Sequence, residues 1–274
     1  MTEFFSQYGV MIASLIAAGL FAGLVAGLFG IGGGAVIVPV LFFLLDGMGY
    51  TETAMHVAVA TSLSTIILTS VRSVMAHHGH GAVDWSIIRG WAPWIMLGAV
   101  CGIGLSGLMS KRMLLGLFGA LLFLLAAQIS FGRPSWRLAD RMPEGVARAG
   151  AGTAVGVLSA LMGIGGGTFG VSLMTLFGTP IHRAVATAAG WGVAIGLPGA
   201  IAAIFVGWGR DGLPPLSAGF VNLPAFLLIS TFTVLMAPVG AALAHKLHAD
   251  RLRKLFGLLL VVVAGRMLWQ ASGL

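Results

Sequence analysis

The octapeptide Gly27-Leu28-Phe29-Gly30-Ile31-Gly32-Gly33-Gly34 recurs in the second half of the chain as Ala160-Leu161-Met162-Gly163-Ile164-Gly165-Gly166-Gly167. Glycine inside a helix costs roughly 1 kcal/mol relative to alanine, so both copies predict helix breaks within apolar runs. In lipid, a broken backbone must be buried in protein or line a wet cavity. A repeated break of this kind indicates the substrate site of a transporter, or else close packing of helices without a ligand.

The composition indicates an all-α polytopic membrane protein. Of the 274 residues, 58% are hydrophobic and only 8% are charged, against about 25% charged in soluble domains. The formal net charge is +7. The basic residues fall in predicted loops, as is usual beside membrane spans, so the charge does not indicate nucleic-acid binding. The single Cys101 excludes an internal disulfide, and we predict neither a cofactor nor a metal site.

Apolar runs predict about eight long transmembrane helices and two short half helices that follow the glycine breaks. They cover residues 4–29, 35–45, 55–76, 87–109, 112–131, 146–163, 168–178, 183–206, 217–245 and 251–270. We predict a first repeat at 1–131 (helix, break, half helix, three spans), a polar linker at 132–148 and a second repeat at 149–274.

The two halves match at further positions, as expected for a duplication. The matched segments are His56–Thr61 with His182–Thr187, Gly81–Asp84 with Gly219–Asn222, and Leu117–Gly119 with Leu255–Gly257. Internal symmetry of this kind is typical of secondary transporters.

The distribution of Lys and Arg predicts how the halves face. If each break is the tip of a hairpin, the halves are inverted, and the basic residues divide eleven to four between the linker side and the terminus side. If each half crosses four times, they divide eight to seven. The positive-inside rule favours inverted halves, with the linker in the cytoplasm and both termini outside the inner membrane. A parallel relation stays open.

The acidic residues predict the charge of the substrate. All eight fall at a terminus, in a predicted loop or at a helix end, whereas cation sites in membranes usually contain a mid-span carboxylate. An anionic or neutral substrate fits better. Helices that begin after Gly34 and Gly167 would each present free N–H groups and a partial charge of about +0.5 to an anion.

The candidate substrate-binding residues surround the two breaks or lie on the helices that follow them. They are Gly32, Gly33, Gly34, Ala35, Gly165, Gly166, Gly167, Thr168, Thr61, Ser62, Thr187 and Trp191. The alternative for Thr168 is an ordinary helix cap. The alternative for the other hydroxyls is helix–helix hydrogen bonding, and for Trp191 it is packing.

His56 and His182 occupy matching positions near predicted helix starts. They are candidates for proton coupling, because histidine titrates near neutral pH, or they are capping or interfacial residues. His77, His78 and His80 predict a solvated loop rather than a metal site.

The glycine turns, the two His-x-Ala-Val-Ala-Thr segments and Gly81-Ala82-Val83-Asp84-Trp85 resemble the sulfite exporter TauE/SafE family, also known as the 4-toluene sulfonate uptake permease family. The resemblance covers essentially the whole chain. The second copy departs from the first at Ser172, which stands opposite Pro39, and at Asn222, which stands opposite Asp84. The resemblance implies a secondary transporter of the bacterial inner membrane that moves sulfite or an organosulfonate such as sulfoacetate.

Other functions stay open at this point. Gly104-Leu105-Ser106-Gly107 has the shape of an intramembrane serine protease motif, with His245 in a later helix, although the chemistry needs both side chains within hydrogen-bond reach. Transport of a different small anion is a further alternative. The expected partners are the substrate, the lipid bilayer, protons as a coupling ion and a second copy of the chain in a homo-oligomer.

Overall fold

The computed structural model describes residues 2–29, 33–79, 81–131, 137–244 and 249–273. Within these ranges the protein is a bundle of helices with one short β-hairpin, which confirms the predicted all-α polytopic membrane fold. Six of the described helices are long and apolar enough to cross a membrane. The eight acidic residues all lie outside helices or in the first or last turn of one.

Eight of the helices within the described ranges are long and two are short, as the apolar runs predict. The helices are α1 (Thr2–Phe29), α2 (Gly34–Gly47), α3 (Ala54–His78), α4 (Trp85–Leu108), α5 (Lys111–Phe131), α6 (Gly145–Met162), α7 (Gly167–Leu176), α8 (Ile181–Val206), α9 (Leu223–Ala244) and α10 (Ala249–Ser272).

Two boundaries differ from the sequence-based prediction. The run at 217–245 does not begin as a helix, because β1 (Ser217–Ala218) and β2 (Val221–Asn222) form a hairpin ahead of α9. Gly219 turns this hairpin with φ +54°. Helix α6 begins at Gly145, so the last residues of the predicted linker 132–148 are helical.

Each break contains a glycine with a left-handed backbone. Gly33 precedes α2 with φ +73°, and its carbonyl accepts hydrogen bonds from the N–H groups of Val36 and Ile37. Gly163 ends α6 with φ +60°. This region of backbone conformation is costly for residues with a side chain. The sequence therefore breaks the chain where two short helices, α2 and α7, start inside the bundle.

Most of the large helix contacts join the first five helices to the last five. Helix α1 packs on α9, α4 on α6, α5 on α10, and α3 on α8. Glycines bring the backbones close together in these pairs, most closely in two of them. A Cβ atom placed on Gly156 would lie 2.2 Å from the Ile95 carbonyl oxygen, and one on Gly240 would lie 2.2 Å from that of Leu24. Small residues permit such close approach between membrane helices.

One end of the bundle, here called the terminus face, carries the start of α1 and the end of α10. There Asp46 at the end of α2 accepts hydrogen bonds from Lys111 at 2.7 Å and from Gln270 at 3.0 Å. At the opposite end, the linker face, Arg183 at the start of α8 forms an ion pair with Asp84 before α4, at 2.9 Å. The Leu138 N–H of the linker donates to the Leu176 carbonyl of α7 there, at 2.8 Å.

These contacts fix the direction of every helix. Helices α1, α3, α5 and α9 run from the terminus face to the linker face, and α4, α6, α8 and α10 run the other way. Helix α2 runs from its glycine break to the terminus face, and α7 runs from its break to the linker face.

Candidate substrate site at the glycine breaks

The two glycine breaks touch each other in the middle of the bundle. A Cβ atom placed on Gly34 would lie 2.4 Å from the carbonyl oxygen of Gly163 and 2.9 Å from the Cα of Ile164. The Ser62 hydroxyl of α3 donates a hydrogen bond to the same Gly163 carbonyl at 2.7 Å. The structure thus places both Gly34 and Ser62 at the second break. The backbones of Gly34 and Gly163 are in direct contact, which leaves no space for a ligand between them.

Trp191 of α8 lies along the first turn of α7. A Cβ atom on Gly166 would be 2.6 Å from the Trp191 Cβ, and one on Gly170 would be 2.7 Å from the Cε3 of its ring. The Trp191 ring also stacks on Trp91 of α4, with centroids 5.3 Å apart. Only glycine at 166 and 170 lets the helix lie flat on this ring. Gly165 packs against Ile66 of α3 in the same region, and Gly167 is buried.

Buried polar atoms without partners occur near this second break. Thr168 Oγ1, Trp191 Nε1 and Ser159 Oγ have no hydrogen-bond partner among the described residues. Thr168 is only 4% exposed, and Trp191 and Ser159 are fully buried. Buried polar groups in proteins are normally paired, with protein or with something bound. An unpaired hydroxyl in this position is therefore available to a ligand.

The N-terminus of α7 adds donors to the Thr168 hydroxyl. Thr168 is the second residue of this ten-residue helix, and helical side chains tilt toward the N-terminus. The first N–H groups of a helix have no partner within the helix and carry partial positive charge. The first break presents Ala35, also buried, at the matching position, and so offers no hydroxyl. The arrangement can accept a small anion at α7.

Thr61 and Thr187 are fully buried, and their hydroxyls already take part in hydrogen bonds between the halves. The Asn222 N–H donates to Thr61 Oγ1 at 3.0 Å, and the Asp84 N–H donates to Thr187 Oγ1 at 3.0 Å. The structure does not place either hydroxyl against α7. Asp84 and Asn222, which the candidate list omits, were visible in the sequence as matching positions of the repeat.

The two histidines differ in environment although they match in sequence. His56 is half-buried, donates from Nε2 to the Ser106 carbonyl at 2.9 Å and stacks on Phe220 at 5.0 Å. It borders a cavity of about 270 Å³ at the terminus face, together with Arg210 and Lys111. His182 is exposed at the opposite face. Among the described residues, no three His, Cys, Asp or Glu side chains are grouped as a metal site.

Among the described residues, the Ser106 hydroxyl has no hydrogen bond to a histidine or a carboxylate, and His56 bonds to the Ser106 backbone carbonyl rather than to the hydroxyl. The hydroxyl donates to the Ile103 carbonyl at 2.8 Å, and Ser106 is 4% exposed. Gly32, His80 and His245, which the sequence analysis named, lie outside the described residues.

The fold and the broken helices define a multi-pass membrane protein, with unpaired buried polar atoms at the start of a helix inside the bundle. The model of the sulfite exporter TauE/SafE family matches residues 15–267, and the chain belongs to this family. The protein is therefore a membrane transporter and not an enzyme, with a small-molecule substrate.

Curated relatives carry the same general description. A "Probable membrane transporter protein" of Haemophilus influenzae is 35% identical over 251 residues, which is 91% of this chain and 95% of the relative. A probable membrane transporter protein of Methanocaldococcus jannaschii is 26% identical over 264 residues, with 96% and 97% of the two chains covered. No solved structure gives a significant match.

Proposed function

We propose that this protein is a secondary transporter that carries a small sulfur oxyanion, sulfite or an organosulfonate such as sulfoacetate, across the bacterial inner membrane. The observation that carries the proposal is the Thr168 hydroxyl, which is buried and unpartnered in the first turn of α7. A helix N-terminus with an extra hydroxyl donor suits an oxyanion, since all its free groups donate hydrogen bonds. The sulfur chemistry rests on the family description.

The helix directions support an inverted repeat, with 1–131 and 149–274 as the two halves. Each helix of α1–α5 runs opposite to the helix at the same place in α6–α10. By their order in each half, α1 corresponds to α6 and α9 corresponds to α4. The contact between α1 and α9 therefore has its counterpart in the contact between α6 and α4. Inverted repeats place the substrate near the membrane midplane, close to their junction, and the start of α7 with its unpaired Thr168 hydroxyl lies just after the second glycine break.

The same directions, together with the basic residues, support the orientation that we propose. With both termini on one face, eleven of the fifteen basic residues fall on the side of the linker. Basic loops face the cytoplasm, so the linker face is cytoplasmic and the terminus face is outside. Proton coupling through His56 or His182 and the transport of another small anion are extensions that the experiments below separate. Assembly into a homo-oligomer is a further part of the proposal.

Transport by purified protein in liposomes tests the site. We compare sulfite, sulfoacetate, sulfate and chloride in the wild type, Thr168→Val, Thr168→Ser and Thr175→Val. Thr175 is the matched control, because it lies on the same helix and its hydroxyl already donates to the Val171 carbonyl at 2.8 Å. Thr168→Val removes only the hydroxyl donor.

We expect Thr168→Val to weaken apparent substrate affinity about tenfold, as for loss of one hydrogen bond to a charged group. Thr168→Ser should restore affinity, and Thr175→Val should transport normally. Normal affinity in Thr168→Val would exclude this site. A preference for chloride over the sulfur anions would agree with an anion transporter but would exclude sulfur oxyanions as its substrate class.

A further inference from the structure

Two hydrogen bonds in this structure are copies of one another. The Asn222 N–H donates to Thr61 Oγ1 and the Asp84 N–H to Thr187 Oγ1, each at 3.0 Å. Thr61 and Thr187 are matching positions of the repeat, and so are Asp84 and Asn222. Each bond therefore joins a threonine of one half to the residue that caps a helix of the other half.

The capping residues hold the starts of α4 and α9 in the same way. The Asp84 carboxylate accepts from the Ser86 and Ile87 N–H groups, and the Asn222 side-chain oxygen accepts from the Ala225 N–H. Aspartate and asparagine are both strong helix caps. Each cross-half bond thus ties a whole helix to a threonine of the other half, so the pair cannot separate without leaving a buried polar group unpaired.

The two bonds lie toward opposite faces of the bundle, and each lies between its own face and the candidate site. Thr61 is two turns into α3 from the terminus face, and Thr187 is two turns into α8 from the linker face. Residues four apart share a helix face. Trp191, one turn deeper than Thr187, packs on Gly166 at the start of α7. A solute that moves from the linker face to α7 along this helix therefore passes Thr187 first.

We propose that Thr61–Asn222 and Thr187–Asp84 are the two gates of the transport cycle, one for each face, with all four as positioning residues rather than substrate ligands. The inference rests on the proposed transport function. Both bonds are made here and the glycine breaks are in contact, which is the arrangement of a state closed to both sides. Opening one face breaks the bond on that face and keeps the other.

The gates differ chemically, and the difference predicts which one responds to charge. On the linker face, Arg183 forms an ion pair with Asp84 at 2.9 Å. On the terminus face, Asn222 replaces the acid and Val57 stands at the position that matches Arg183. The linker gate has an electrostatic contact that the terminus gate lacks. Asp84→Asn should therefore loosen the linker gate alone, while the cap survives.

Sided labelling of a buried thiol tests the gates without any substrate. The reporter is Ala188→Cys in a Cys101→Ala background, which removes the native thiol. Ala188 is buried, and its carbonyl oxygen would lie 2.9 Å from a Cβ atom on Gly166, beside the proposed site. A small membrane-impermeant thiol reagent is added to sealed vesicles of either orientation, and the labelling rate is measured from each face.

We expect Thr61→Val to raise labelling about fivefold from the terminus face alone, and Thr187→Val to do so from the linker face alone. A factor of five corresponds to about 1 kcal/mol, the net value of one hydrogen bond. Asp84→Asn should raise linker-face labelling by up to about fivefold, the range for an exposed ion pair. Thr61→Ser and Thr187→Ser should label like the wild type.

Thr69→Val is the matched control, since Thr69 is buried on α3 and, within the described part of the chain, its hydroxyl bonds only to the Thr65 and Ile66 carbonyls of that helix. Equal changes at both faces, or no change in either threonine variant, would overturn the gates. If the valine variants fail to fold, Asp84→Asn still decides, because an unchanged linker-face rate contradicts the charged gate. Failure of the anion site would instead appear in the transport of Thr168→Val, which labelling does not involve.

Discussion

Gly34→Ala should be the most informative single-methyl change, because it acts where the two breaks meet. The added Cβ would lie 2.4 Å from the Gly163 carbonyl oxygen and 2.9 Å from the Ile164 Cα. Ordinary C···O contacts are about 3.3–3.6 Å, so the breaks must separate by about 1 Å. The clashing atoms are backbone, so no side chain can rotate away.

Overpacking of this kind costs about 1–3 kcal/mol, and the Ser62 hydrogen bond to Gly163 is strained as well. Gly104→Ala is the control, because nothing lies within 4 Å of a Cβ atom at that position in α4. It should gain about 0.5–1 kcal/mol, since alanine restricts the unfolded chain. The two variants should therefore differ by about 2–4 kcal/mol in the free energy of unfolding.

Denaturant unfolding of both purified variants in the same detergent measures this difference in the free energy of unfolding. Transport is then measured with the same two preparations after reconstitution into liposomes. We expect Gly34→Ala to unfold earlier and to lose transport, and Gly104→Ala to retain both. Unfolding of the two variants at the same denaturant concentration would refute the close contact of the breaks.

Three further predictions concern single side chains. Ser62→Ala should lower the free energy of unfolding by about 1–3 kcal/mol, measured by denaturant titration, because the buried Gly163 carbonyl loses its side-chain donor; an unchanged midpoint would contradict the Ser62 bond. His56→Gln should reduce transport in liposomes, because its ring stacks on Phe220 and lines the terminus-face cavity, whereas His182→Gln should match the wild type, because that side chain is exposed; equal loss in both would instead support proton coupling by the pair. The Ser86 hydroxyl, and less strongly Arg183, hold the pKa of Asp84 below its usual value, so its contribution to stability is complete above about pH 4 and disappears as the pH falls through the lowered pKa; the ratio of the linker-face labelling rates of Asp84→Asn and wild type should be constant from pH 5.5 to 8, although both rates rise with the thiolate fraction of the reporter.

The sequence predicts the number and type of the helices well, because length and hydropathy decide them. The starts of α2 and α7 follow directly from the glycine clusters. The hairpin before α9 escaped prediction, since residues 217–222 contain no charge and lead directly into the apolar helix after them. Its formation depends on the turn at Gly219, where a Cβ atom would lie 2.1 Å from the Ile204 carbonyl oxygen of α8.

Side-chain roles were less predictable, because they depend on contacts between distant parts of the chain. The repeat matched Thr61 with Thr187 but gave no sign that each faces the helix cap of the other half. It also matched His56 with His182, although only His56 is covered, by Phe220 of the hairpin. Thr168 was identifiable, because its position in the first turn of α7 depends only on the local glycine break.

The exchange of partners between the two halves has a consequence for biosynthesis. Helix α1 packs on α9, which is made about 200 residues later, or about 10–40 s at ordinary translation rates. Until then, the glycine surface of α1 that receives Phe232 and Thr233 meets only lipid or the insertion machinery. The first half is thus an unfinished assembly rather than a domain. A chain released between the halves would expose the surfaces of α1, α4 and α5 that α9, α6 and α10 cover.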